Sequence, residues 1–332
     1  MSPSDGRALA TLFWGLILSL WVVFTVCFSK PAFYLYPMIL SPTALLFLWN
    51  ALRHRHPGRV HRMTTVQLTG LYASGFLLII IPFLLNTATR WFASRVLLAG
   101  RDVAKEHEQG TWRIFVFFMI ALAVSPGVWE ELYKWWITSL GVKRLDRPRS
   151  RLQVTLCAVT SGLSFATAEN LLYYWSVMSS EGLSTVVIAS RTLRCIPGHV
   201  AFAVMSGKAM SLMIDRRQRR LVVTLPGIWK QMVLHACCNY FAFIGTMEHL
   251  EVPVTPGMQL ASRSITAFIA MVMVFYVAYT LWTVDDEPFE DDTIGQVFPK
   301  QDVVLEPPPH YEASDNVITD ETTISVVGEF DR

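Results

Sequence analysis

The sequence predicts an all-α protein: a polytopic membrane bundle of about eight transmembrane helices, closed by a disordered acidic C-terminal tail. Three observations predict it. Of the 332 residues 52% are hydrophobic and only 16% charged, a composition beyond that of ordinary soluble domains. The charges are bunched in short stretches between long apolar runs, and the last fifty residues lose the apolar runs and turn acidic. The net charge of +2 hides this asymmetry. No stretch combines dense basic charge with stacking aromatics, which argues against nucleic-acid binding.

A spanning helix needs about 20 mainly apolar residues, and the chain divides accordingly. The first run, Ala8 to Phe28, is too long for the apolar core of a cleaved signal peptide and reads as a retained span. The second runs from Ala32 to Ala51 after a turn at Lys30-Pro31, and Arg53 to Arg62 follows, rich in arginine and histidine. The third covers Val66 to Thr87, and a mixed-charge loop from Arg90 to Gly110 leads to the fourth, Arg113 to about Leu140. A second basic loop, Lys143 to Arg151, precedes the fifth span, Leu152 to Trp175.

A short apolar piece ending at Arg191-Thr192-Leu193-Arg194 reads as interfacial. The sixth span is Cys195 to Ile214, ending in the basic run Arg216 to Arg220, where Lys208 is expected to snorkel. The seventh covers Ile228 to Met247 and the eighth Ile265 to Thr283. Alternating these spans puts all three basic loops on one side with both termini, which the positive-inside tendency makes cytosolic. Three regions result: spans and loops in 1–112, a helix bundle bearing the polar set in 113–284, and the tail in 285–332.

From Asp285 onward the composition is that of a disordered tail. Within it Pro308, Pro309 and Tyr311 form a PPxY pattern, suited to the aromatic groove of a WW domain. The five cysteines fall in apolar runs without CxxC spacing and read as small core residues.

Charge inside a span is costly, about 2.5 to 3.5 kcal/mol for a charged side chain at mid-bilayer. Ionisable groups there are therefore functional candidates that face the bundle interior and pair with one another. On the fourth span, Glu130 and Lys134 have the i, i+4 spacing of a helical ion pair. Glu131 lies about 100° around the helix, free for another task. Trp135 and Trp136 beside them suit an aromatic belt, in which case the charges form only an interfacial network. The fifth span carries Glu169 and Asn170 after a surface of small residues that permits close helix approach. The sixth opens Pro197-Gly198-His199, and the seventh places His235 and Asn239 on one face by i, i+4 spacing.

Taken in order, Glu130-Glu131-x-x-Lys134, Phe165-x-x-x-Glu169-Asn170, His199 with Gly207, and His235-x-x-x-Asn239 resemble the PrsW family of intramembrane proteases, relatives of the type II CAAX prenyl endopeptidases. The resemblance spans about Gly127 to Phe243. It implies an intramembrane endopeptidase acting on membrane-associated proteins through a glutamate-activated water. In one reading it implies, His199, His235 and Glu169 hold a catalytic zinc, with Glu130 or Glu131 as general base; two histidines and a glutamate form a known catalytic zinc set. In the other, a glutamate and a histidine activate water without metal while His235 and Asn239 stabilise the oxyanion. With Lys134 expected on Glu130, Glu131 is the preferred base.

The depths of these residues do not match along straight helices: Glu169 and His199 fall toward the non-cytosolic end and Glu131 deeper. Either the fourth span begins later than Arg113, or a break at Pro126-Gly127 tilts the glutamates toward the others; the break is expected to place the site in a cavity near the middle of the bilayer. Two other readings use the same residues. A catalytically inactive adaptor would recruit a WW-domain ubiquitin ligase through its tail, and a transporter would show internal repeats, which the sequence lacks.

Overall fold

The computed structural model describes residues 13–15, 17–19, 37, 39–48, 63–99, 112–145, 150–177, 181–215, 225–246 and 255–284. All belong to one compact unit, Met1–Pro299. Pro308, Pro309 and Tyr311, the basic loops 53–62 and 216–220, and most of the first span lie outside the described residues, as does Cys27.

Among the described residues the chain is almost wholly helical, without strands. In order come α1 (Ile39–Leu48), α2 (Thr65–Leu77), α3 (Ile80–Leu97), α4 (Trp112–Phe118), α5 (Ser125–Arg144), α6 (Arg151–Val177), α7 (Glu181–Asp215), α8 (Leu225–Thr246) and α9 (Pro256–Thr283). Among the described residues, three continuous stretches are long and apolar enough to cross a membrane: Thr65–Leu97, Trp112–Arg144 and Leu260–Thr283. This is a multi-pass membrane protein.

Local chemistry sets the helix ends and offsets. Thr64 starts α2 through a capping box, its Oγ1 accepting from the Gln67 N–H at 3.2 Å while Gln67 Oε1 accepts from the Thr64 N–H at 2.9 Å. Pro82 has no N–H for the Leu78 carbonyl, so Ile81 takes that carbonyl instead at 3.0 Å, and the chain steps between α2 and α3 there. α3 then runs on to Leu97, past the Arg90 at which a loop was expected.

The break expected at Pro126-Gly127 takes another form. Residues Met119–Val124 form a π-helical turn, closed where Ser125 N–H donates to the Ile120 carbonyl. The wider turn relieves the clash that the Pro126 ring would make with the carbonyl four residues earlier. The helix is widened upstream of the proline and continues through it.

α6 is the central helix. From Leu152 to Ala168 every residue is buried, against α2, α5 and α7. That explains its many serines and threonines, which face protein instead of lipid and lower its hydropathy as a span. Helices in a bilayer gain little hydrophobic energy from one another and depend on close packing. Gly162 provides it: a Cβ there would meet the His199 carbonyl oxygen and the Val200 Cα, both at 2.8 Å. Gly127 brings α5 against α8 in the same way, 2.7 Å from the Met232 carbonyl oxygen. α9 packs on α7 and α8.

One further expectation is corrected. α7 is a single helix of 35 residues with Pro197 inside it. The piece read as interfacial and the sixth span are one element, for a reason that lies in the site.

Candidate active site

Four helices bring the polar set to one place. Glu131 and Lys134 of α5 have no exposed surface, while Glu130, His199 of α7 and His235 of α8 are 3–6% exposed. Trp135 is fully buried as well. The charges therefore sit inside protein, and the aromatic-belt reading fails at Trp135.

Pairing within the set differs from the i, i+4 expectation. Lys134 Nζ donates to Glu131 Oε1, three residues earlier, and lies 3.4 Å from His199 Nδ1. It is held between the rings of Phe165 and Phe202, 5.5 Å from each centroid. The Lys134 carbonyl accepts from Ser161 of α6 at 3.0 Å, which fixes this turn against the central helix. Glu130 is held from α3, where Asn86 Nδ2 donates to its Oε1 at 3.4 Å. Asn86 is itself held by Ser125 Oγ at 2.8 Å.

Each histidine is gripped at one nitrogen by a carboxylate. His235 Nδ1 is 2.7 Å from Glu131 Oε1, and His199 Nε2 is 2.9 Å from Glu169 Oε2. Because a carboxylate only accepts, those nitrogens carry the protons. The other two nitrogens face one atom: Glu130 Oε2 lies 3.7 Å from His235 Nε2 and 3.9 Å from His199 Nδ1. That oxygen is buried and has no hydrogen-bond partner, as is also true of Glu131 Oε2.

Donor atoms of Glu130, His199 and His235 all lie within 4.8 Å of one another, close enough to share a metal ion. The carboxylate grouped with the histidines is thus Glu130, while Glu169 lies on the far nitrogen of His199. There Glu169 also meets Arg191 of α7, Nη2 to Oε2 at 2.7 Å, and Arg191 Nε donates to Asn170 Oδ1 at 2.9 Å. This ion pair answers the charge of Arg191 within the protein, so α7 runs on through a basic turn.

Beside the histidines, a cleft of about 60 Å³ opens between α7, α8 and α9. Asn239 and Thr266 supply its neutral polar lining, Arg194 lines it as well, and Phe202, Cys238, Ala242, Ile269, Ala270 and Met273 make most of the rest. Asn239 therefore shares the site with His235.

The family model that matches the chain is that of the PrsW family intramembrane metalloprotease, over residues 64–280. The chain belongs to the PrsW family. The match extends beyond the Gly127 to Phe243 stretch at both ends and takes in α2 and α3, hence Asn86. Nothing matched among curated proteins or among solved structures. As a PrsW protein the chain is a membrane protease, and its Glu130, His199 and His235 cluster is where a metal could bind.

Three residues of the site were not singled out in the sequence. Asn86 is a lone amide in an apolar run, a signal too small to register in hydropathy. Phe202 stacks on His235, with ring centroids 5.1 Å apart, and stands one helical turn after His199, the spacing that could have found it. In the sequence Arg191 reads as the end of a short interfacial piece. Lys208 lies 4.9 Å from the Tyr276 ring centroid, and the arginines toward which it was expected to snorkel lie outside the described residues. Of the described cysteines, all free, only Cys157 is fully buried; Cys195 and Cys238 line the cleft.

Proposed function

We propose that this chain is an intramembrane endopeptidase that hydrolyses peptide bonds of membrane-associated proteins at the centre formed by Glu130, His199 and His235. The observation that carries it is the convergence of two carboxylate-held histidines on one partnerless, buried carboxylate oxygen. Nitrogens and an oxygen bound to one tetrahedral zinc at about 2.0–2.1 Å stand about 3.3 Å apart. Separations of 3.7 and 3.9 Å come close to that. Two histidines and one carboxylate are a catalytic zinc set, and carboxylates behind both histidines are the usual outer partners.

Glu130 Oε2, His199 Nδ1 and His235 Nε2 would hold the ion. Zinc bound there supplies a Lewis acid and lowers the pKa of a coordinated water toward neutrality. Glu131 is the general base: Lys134 and His235 anchor its Oε1, and its Oε2 is left to accept a proton. The Asn239 amide donates to the carbonyl oxygen of the scissile bond as charge develops on it. The cleft lined by α7, α8 and α9 leads from the histidines to Asn239 and is where the scissile bond would approach.

A second reading keeps the same residues without metal, with a glutamate and a histidine activating the water and His235 and Asn239 steadying the oxyanion. It is favoured by the Lys134 ammonium, 3.4 Å from His199 Nδ1, where a cation already stands beside the bare nitrogen. Both termini are assigned to the cytosol, and Pro308, Pro309 and Tyr311 to a WW-domain ubiquitin ligase.

New protein N-termini compared between cells carrying wild type and Glu131→Gln test the protease. Termini that depend on Glu131 are expected; identical sets sink the reading. An inactive adaptor would instead keep its function in Glu131→Gln and lose it in Tyr311→Ala.

A further inference from the structure

We propose that Arg191 is a positioning residue of this site, acting through Glu169 to hold His199 with its proton on Nε2 and its bare Nδ1 toward Glu130. The inference rests on the reading above that His199 Nδ1 serves the reacting centre.

Arg191 is held by three residues on one stretch of α6. Its Nη2 meets Glu169 Oε2 at 2.7 Å, its Nε donates to Asn170 Oδ1 at 2.9 Å, and its guanidinium carbon lies 3.6 Å from the Tyr173 ring centroid. A guanidinium's rigid planar fork and stacking face suit that combination, which an ammonium cannot reproduce. The same Glu169 oxygen receives His199 Nε2 at 2.9 Å. Arg191 and His199 are about two turns apart on α7, and Glu169 joins them across the helix contact that Gly162 makes close.

The tautomer of a histidine is set by the hydrogen bond its other nitrogen makes. A carboxylate fixed as an acceptor requires the proton on Nε2, leaving the Nδ1 lone pair for the centre. Without Arg191, Glu169 loses the cation that fixes its rotamer and its charge. His199 is then held only by the longer contact of Lys134 Nζ with Nδ1, 3.4 Å, and the tautomer that has no lone pair at Nδ1 becomes populated. If Arg191 merely stapled α6 to α7, its removal would cost stability and leave the His199 tautomer as it is.

The test uses the full chain, metal-free in lipid nanodiscs and labelled with 15N-histidine, with His199→Gln identifying the His199 signals. Wild type is expected to show one neutral tautomer protonated at Nε2, and Arg191→Met a mixture of two. Zinc added alone is expected to bind 10- to 100-fold more weakly to Arg191→Met, the usual cost of losing an outer partner. The double variant Arg191→Met/Glu169→Gln should bind no more weakly than Glu169→Gln, because the two residues act in series. Where Arg191→Met does not fold, Arg191→Lys keeps the charge and removes the fork, and is expected to show the second tautomer too.

An unchanged His199 signature in a folded variant overturns the proposal, as do zinc losses that multiply in the double variant. A wild type that takes no zinc overturns the metal reading of the site. The tautomer measurement needs no metal and still decides the role of Arg191.

Discussion

Lys134→Met tests whether the buried pair on α5 is organised as described. Lys134 and Glu131 have no exposed side-chain surface, and methionine keeps the stem's packing between Phe165 and Phe202. What it removes is the cation, leaving the Glu131 carboxylate buried with His235 as its remaining partner. Removing one member of a buried ion pair costs about 3–5 kcal/mol, or two to three and a half decades in the folding equilibrium at about 1.4 kcal/mol per decade. In Glu131→Gln/Lys134→Met no charge is stranded, and the glutamine carbonyl can still accept from His235 Nδ1. The expected cost of the double variant is that of ordinary hydrogen bonds, about 1–2 kcal/mol. The double should therefore be more stable than the single by about 2 kcal/mol. Unfolding titrations in mixed micelles, followed by tryptophan fluorescence, measure both. A double variant as unstable as the single would refute the pairing of Lys134 with Glu131.

Gly162→Ala forces a methyl group against the α7 backbone at His199 and is expected to cost about 1–3 kcal/mol and most of the cleavage activity. Gly207→Ala, which would meet the Ala158 Cβ at 2.7 Å about two turns from His199, is expected to cost similar stability and spare activity; parallel melting and cleavage assays separate the two. Asn239→Ala is expected to lower kcat by about 10²–10³ if the amide meets the oxyanion, with zinc content unchanged; loss of zinc would show that it supports the metal site instead.

Much of the site was legible because charge in an apolar run is conspicuous. Glu130, Glu131, Lys134, Glu169, His199 and His235 could be picked from composition alone, and the structure brings them together. Which carboxylate faces which nitrogen was not legible, since it depends on helix rotation and rotamer. Glu130 and Glu131 are neighbours in sequence, yet Glu130 reaches Asn86 of α3 with one oxygen and faces both histidines with the other, while Glu131 holds the far nitrogen of His235, and only the fold shows that Lys134 follows Glu131. Arg191 was misplaced for a related reason: hydropathy counts its charge as a mark of the interface and cannot see the carboxylate of α6 that answers it. α6 falls short of the apolar spans for the opposite reason, because a helix surrounded by protein has no need of an apolar surface for lipid. The π-turn at Met119–Val124 was signalled by Pro126, but the proline marks that strain must be relieved, not where.

The most direct measurement of the central claim is zinc content of the purified full-length chain, compared between Glu130→Gln and Glu169→Gln. With Glu130, His199 and His235 as the centre, wild type carries one zinc, Glu130→Gln loses it, and Glu169→Gln keeps it with about 10- to 100-fold weaker affinity. Zinc that stays with Glu130→Gln and leaves Glu169→Gln would contradict the centre described here, and a wild type that cleaves without any metal would contradict the zinc assignment itself.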